Sequence, residues 1–285
     1  HKLAWKKRPL NSPPALASID GMTPFFNSFE RGYGDRLKTQ HPARTSLEYD
    51  TTRGSTYFQV KNDSLGQRLA TVFGVQLSLA HYPLLQFEYR AFDMTEITAS
   101  FAQNHRLFLS EDTSNAPRVR PGNALQQDGK WNIWYGIASD AYRSGAYKPN
   151  HFMANAVRFA SVGSPDQTGR YSKWHVDDIA FGPAVADPKQ AAVTPVYVDG
   201  DGVKDVLWTI STTAYSARKQ GADKNIKDAQ WKKQPPGNTL NLSFEGLDDG
   251  VQHLLLKATD NRGDESKITD LPFLLDRKAP VLGGT

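Results

Sequence analysis

What most restricts the folding of this chain is its punctuation. Short runs of apolar and polar residues follow one another, each stopped by turn chemistry. "STYFQVKND" alternates and ends in Asn-Asp, and "ATVFGVQLSLAHYPLLQFEYRAFD" makes two runs broken at Tyr82-Pro83. "EITASFAQNHRLFLS" makes two more around an Asn-His turn, while "DGKWNIWYGIAS" starts at a Gly turn and "HVDDIAFGP" closes the set. Alternation with period two is the mark of a strand, and Gly, Pro, Asn and Asp clusters end strands. The 22 Gly, 17 Pro and an 11% aromatic share supply those turns and strand formers. Helix signals are scarce; "HFMANAVRFASVG" reads as a short helix or a strand, and periodicity leaves both open. The chain is expected to be all-β, built as a sandwich or jelly roll.

Composition excludes several functions. There is no Cys, so disulfides, thiolate catalysis and cysteine-ligated zinc are ruled out. No run approaches the roughly 18 apolar residues of a membrane span. The net charge of +4 comes in part from "HKLAWKKR" at the start, read as a solvated arm because no nucleic-acid motif accompanies it. No nucleic-acid partner is expected. The opening residues lack the apolar stretch of a secretory signal, and the ending "DRKAPVLGGT" reads as cut from something longer.

The texture changes along the chain. Residues 1–22, rich in Pro, Ser and basic residues, read as a leader or linker; residues 23–186 form the first β-domain. A linker at 187–193 leads to a smaller unit at 194–278, with strands in "DVLWTISTTAYSARK", "NTLNLSFEGL", "VQHLLLKATDNRG" and "DLPFLLDRKAP"; residues 279–285 begin a further linker or repeat. With no disulfide, Trp208 and Trp231 are the expected buried pins of that unit. In its third run, Leu254, Leu256 and Ala258 share the inward face.

"FFNSFERGYGD", "TTRGSTYFQV", "YPLLQFEYRAFD", "DGKW" and "WHVDDIAFG" occur in an order that resembles carbohydrate-binding modules of the galactose-binding-like jelly-roll type. The resemblance covers residues 23–184. "LDDGVQHLLLKATDNRGDES" with "FLLDRKAP" resembles bacterial Ig-like repeats, which are usually spacers. The first resemblance implies a structural calcium held by the side chains of Glu30 and Asp178, with backbone carbonyls near residues 53–55. On a regular strand Asp178 would share a face with Val176, and Asp177 with His175 and Ile179, so the adjacent carboxylates would not enter one cleft. "VDGDGVKDV" mimics the start of a calcium loop, but Ile210 stands where the bidentate acid belongs, so this stretch reads as a structural turn.

Sugar binding needs exposed aromatic faces with polar partners. The candidates are Trp134, Tyr135, Tyr142 and Tyr147, with Arg143 and Asn150 as partners. If Trp131, Ile133, Tyr135 and Ile137 face the core, Trp134 lies on the opposite surface; a bulge would reverse this. No nucleophile elbow or zinc-protease motif is present. His81, His105 and His151 leave a lyase reading open. The expectation is a non-catalytic, extracellular or cell-surface glycan-binding module with an Ig-like spacer. Its rivals are a structural surface-layer type assembly protein and an accessory region of a polysaccharide-degrading enzyme.

Overall fold

The fold is described from a computed structural model. It describes residues 4–5, 8–23, 25–31, 37–39, 42–62, 68–79, 81–102, 105–110, 125–137, 142–143, 153–163, 172–185, 191–213, 215 and 230–277.

The early strands are β1 (Ala4–Trp5), β2 (Ala15–Gly21), β3 (Phe26–Asn27), β4 (Leu37–Thr39), β5 (Thr45–Asp50), β6 (Ser55–Asn62) and β7 (Arg68–Ser78). Next come β8 (Leu84–Phe92), β9 (Met94–Ala102), β10 (His105–Ser110), β11 (Asn132–Ile137), β12 (Tyr142–Arg143), β13 (Met153–Gly163) and β14 (Ser172–Gly182). The remainder are β15 (Ala184–Val185), β16 (Ala192–Val198), β17 (Val203–Ser211), β18 (Lys232–Gln234), β19 (Leu240–Asn241), β20 (Gly250–Asp260) and β21 (Thr269–Leu275). The all-β expectation holds, and the ambiguous stretch at 151–163 carries β13. Among the described residues no helix is long and apolar enough to cross a membrane.

The described strands form four sheets in two stacked pairs. The first pair sets a seven-stranded sheet, β1-β5-β6-β14-β8-β11 with β3 also on β14, against a six-stranded sheet, β12-β10-β9-β13-β7-β4. Alternation explains the packing. Phe58 and Val60 on β6, Leu85, Phe87, Tyr89 and Ala91 on β8, and Trp174 and Val176 on β14 point into one core. Phe87 is fully buried, with Trp134 and Phe159 rings each 5.1 Å away. Burying one such side chain contributes about 1.5–3 kcal/mol.

The second pair sets β15-β21-β20-β17-β18 against β19-β16-β2. Its core holds Trp208, Leu254, Leu256, Leu271 and Phe273, and also Leu16, Ile19 and Met22. The segment read as a leader therefore supplies a strand: β2 pairs antiparallel with β16, Ser18 opposite Val196. Its apolar residues Ala15, Leu16, Ala17 and Ile19 are buried by that sheet, a burial too short to register as periodicity. Trp208 is buried as expected, whereas Trp231 is only half-buried.

The two pairs are joined without slack. β15 runs parallel to β21, and Leu274 N donates to Pro183 O at 2.8 Å. Gly182 passes so close to β21 that an added Cβ would overlap the Pro272 carbonyl oxygen. Ala180 of β14 packs in the second core while its neighbours Ile179 and Phe181 pack in the first.

Candidate functional site

The outer face of the seven-stranded sheet carries the chemistry. Its centre is β14, whose inward residues change phase partway along: Trp174 and Val176 point into the core, then Ile179 and Phe181. The phase changes because the register to β8 shifts between Asp177 and Ala180, and Asp178 adopts a left-handed backbone with φ 44. One extra residue in a bulge turns the following side chains over. Asp177 and Asp178 therefore both reach the outer side, which corrects the expectation from strict alternation. Phe29, with φ 60, makes a second left-handed kink; Asn27 Oδ1 accepts its N–H at 3.0 Å. β3 pairs with β14 through Phe26 and Asn27, so the turn at Phe29-Glu30 follows directly on a strand that neighbours the Asp177-Asp178 segment.

Glu88 of β8 stands directly across from Asp177. Oxygens of Glu88, Asp177 and Asp178 all lie within 4.8 Å of one another, and all three residues are buried. The ammonium of Lys267, from the turn between β20 and β21, enters this trio. Its Nζ lies 2.7 Å from Asp177 Oδ2, 2.8 Å from Asp178 Oδ2 and 3.2 Å from Glu88 Oε2. Arg53, from the turn after β5, pairs with Glu88 and lies 3.6 Å from Asp177. Ser55 Oγ donates to Asp177 at 3.2 Å and Thr269 Oγ1 donates to Asp178 Oδ2 at 3.2 Å. Asp178 Oδ1 is enclosed and accepts no hydrogen bond.

Three carboxylates thus face two cations in a buried site. Burial pushes Asp177 up to about 6 and Asp178 up to about 7, against the pull of Lys267. Burial acts on Glu88 in the same sense, but Arg53 and Lys267 outweigh it and hold that carboxyl below its usual range. Burial and Arg53 oppose the charge on Lys267, yet its three anionic neighbours raise its pKa. Within the cluster, protonation is therefore favoured on the Asp177–Asp178 side over Glu88.

Beside this cluster, His175 sits between Arg90 and Gln59. Arg90 Nε donates to His175 Nδ1 at 3.0 Å, so the ring hydrogen is on Nε2, which meets Gln59 Oε1 at 3.0 Å. Burial, then the charges of Arg90, Lys173 and Lys61, push its pKa down to about 2. It is a neutral cross-strand partner, buried rather than at the surface. The rings of Tyr57, Phe92 and Trp131 surround it at 4.6, 5.4 and 6.2 Å. Trp131 Nε1 donates to Asp50 Oδ2 at 3.1 Å, and the Arg53 guanidinium stacks 3.9 Å from the Trp131 ring centre.

The sugar-binding candidates divide. Trp134 is a core residue, 4% exposed, against Phe87; it is not a surface platform. The phase along β11 is the reverse of the one assumed: Trp131 and Tyr135 face outward. Tyr135 is 39% exposed and its ring meets the edge of His253 at 5.2 Å, where β20 approaches. Tyr142 and Arg143 form β12 beside β10. Tyr147 and Asn150 lie outside the described residues, as does His151, whereas His81 is exposed. Trp131, expected in the core, lies on the outer side of β11 but is 8% exposed, packed beneath Arg53.

The metal candidates also separate. Asp178 is in the trio, but Glu30 is committed elsewhere: Oε1 accepts Thr56 N at 2.6 Å, and Oε2 accepts Thr56 Oγ1 at 3.1 Å and Arg8 Nη1 at 3.2 Å. Acidic clusters with metal-binding geometry do exist, the trio being one and Asp199, Asp201 and Asp260 the other. By oxygen type both suit a hard cation. The trio, however, does not fit one as it stands, because an ammonium already lies among the oxygens. In the second cluster Arg262 pairs with Asp201 at 3.1 Å and Asp260 at 3.2 Å.

No protein-family model matches the chain, and no curated protein matches it. Among solved structures, the chain is similar to the glycoside hydrolase domain of Endo-D from Streptococcus pneumoniae R6, at 12% identity and a TM-score of 0.33. That match covers 84% of this chain and 37% of the other, so the chain spans little over a third of its length. It is also similar to the family 11 carbohydrate-binding module of a cellulosomal cellulase of Clostridium thermocellum, at 14% identity and a TM-score of 0.33, covering 60% of this chain and 97% of that one. A third is the tripod from the baseplate of bacteriophage Tuc2009, at 8% identity and a TM-score of 0.26, covering 86% of this chain and 100% of that one. Likeness at this level carries no functional inference.

Proposed function

We propose that the chain is a non-catalytic glycan-binding unit of an extracellular or cell-surface protein, and that the sugar lies along the outer side of β11. The observation that carries the reading is the phase of that edge strand. Trp131, Ile133 and Tyr135 share one face at about 7 Å intervals, with Tyr135 exposed and Arg90 opposite Trp131's end of the strand. Of the two aromatics only Tyr135 is open to solvent, Trp131 being 8% exposed beneath the Arg53 guanidinium, so the Tyr135 ring is the flat surface offered to a pyranose C–H face. Arg90, 22% exposed, and Asp50 beside it offer hydrogen bonds to hydroxyls.

The acidic trio argues against catalysis. Glycosidase carboxylates flank a cleft open to substrate, with a separation set by the mechanism. Here the three are buried and closed over by Lys267 and Arg53, so no substrate reaches them. A resident calcium on Glu30 and Asp178 is not part of this reading, since each already has a cationic partner.

Affinity electrophoresis of the full chain against a polysaccharide panel tests the proposal. Retardation by at least one polysaccharide is expected, weakened about tenfold by Tyr135→Ala through loss of the ring, with no release of reducing ends. No retardation by any polysaccharide, from a chain shown to be folded, would overturn it. A regular oligomer or lattice in its place would favour the structural-assembly role.

A further inference from the structure

The first sandwich has a cation site, and the second sandwich fills it. Three buried carboxylate oxygens, from Glu88, Asp177 and Asp178, converge on one point, as the oxygens of a metal site do. Lys267 Nζ stands at that point, within 2.7–3.2 Å of all three. The ammonium donates hydrogen bonds to Asp177 and Glu88 and forms a close ion pair with Asp178. Lys267 is only 7% exposed, and its backbone belongs to the turn that joins β20 to β21, on the other side of the seam. A lone oxygen remains: Asp178 Oδ1 is enclosed with no partner, a lone pair that a larger hard cation with six to eight ligands would engage.

We infer that the Lys267 ammonium is the resident cation of this site, standing in for a divalent metal ion, and that it locks the second sandwich onto the first. Two consequences follow from charge. With Lys267 in place a dication would add to two cations already present, Lys267 and Arg53, and is excluded. With Lys267 replaced by a small neutral residue, three carboxylates and a cavity remain against Arg53 alone, and the trio becomes able to take Ca²⁺. At the seam a single side chain then decides between a metal-free and a metal-dependent protein. This inference does not depend on glycan binding.

The test uses the full chain, its Lys267→Ala variant, and each of these with Asp178→Asn added. Thermal midpoints are read in chelator and in millimolar Ca²⁺, with Ca²⁺ titrated calorimetrically. The quantity that matters is the part of any Ca²⁺ response that Asp178→Asn removes, which sets aside the separate cluster at Asp199. The unaltered chain is expected to show none. Lys267→Ala is expected to melt about 10 °C lower in chelator, as breaking a buried ion pair does in a chain of this size, and to recover part of the loss in Ca²⁺. An Asp178-dependent Ca²⁺ response in the unaltered chain would overturn the inference, as would its absence in a folded Lys267→Ala. If Lys267→Ala folds in neither buffer, the calorimetric titration of the unaltered chain decides in the same way. An intact mass lighter by one water, with Lys267 joined to Asp177 or Asp178, would also overturn it, since the amine would then be an amide.

Discussion

Two carboxylate trios of similar geometry sit in different surroundings. At the seam, Glu88, Asp177 and Asp178 are buried, and their cations arrive from distant parts of the chain, Arg53 and Lys267. At the other, Asp199, Asp201 and Asp260 meet Arg262, which also pairs with Asp264 at 3.0 Å and is 35% exposed. Much of that second cluster is turn chemistry. Asp260 Oδ1 accepts the N–H groups of Arg262 and Asp264, and Asp199 Oδ2 accepts that of Asp201. The second set, with Asp260 buried and Asp201 exposed, fastens two neighbouring turns at the surface; the fully buried set fastens two bodies together away from solvent. Attraction between charges counts for far more where solvent is excluded, and so does the loss of one partner.

That contrast can be broken by substitution. Arg53→Met leaves Glu88 without its guanidinium in a buried site, and is expected to cost about 3 kcal/mol in urea unfolding. Gly182→Ala places a methyl against the Pro272 carbonyl and forces β14 and β21 apart; a loss of about 2 kcal/mol is expected, with the seam rather than the first core loosened in hydrogen exchange.

The pH dependence sharpens the contrast further. The raised values of Asp177, about 6, and Asp178, about 7, mean that the folded chain holds protons which the unfolded chain releases above 3.8. Their contribution to stability is complete below 3.8 and is lost as pH rises through about 7. Glu88, held low, works in the opposite sense and loses its contribution on acidification. Asp178→Asn balances two carboxylates against two cations; it is expected to flatten the decline between pH 4 and 7 and to leave stability at pH 7 no lower than the parent's. A steeper decline in the variant would contradict this charge balance. The smallest effect is expected at Arg262→Ala, where the guanidinium is 35% exposed, its pairs with Asp201 and Asp264 are screened, and buried Asp260 keeps two backbone N–H donors: a small drop in the denaturation midpoint, smaller still at high salt.

Much of the fold was legible in the chain. β6, β8, β9, β10, β14, β17, β20 and β21 fall on runs whose alternation and turn residues mark them. The site was less so, for definable reasons. Asp178 was placed with Val176 because period two has no means of announcing a left-handed residue inside a strand. Trp134 was placed outside because both faces of β11 carry aromatics, and apolar character alone does not set phase. The buried polar face of β8, with Gln86 and Glu88, reads like a solvent face; it is covered only because residues 267–270 fold across it, Gln86 donating to the Asp270 carbonyl. β2 (Ala15–Gly21) carries no sign of its partner because that partner, β16 (Ala192–Val198), lies far along the chain.

That last pairing fixes an order of events during synthesis. Leu16 and Ile19 leave the ribosome long before Val193 and Phe273, the residues that will cover them, have been made. The first sandwich can therefore condense while β2 still trails as an unpaired, apolar edge, and the smaller core closes late, around a strand that has been waiting since the start. A nascent chain halted after β14 should for that reason be bound by holding chaperones at β2 rather than at its growing end.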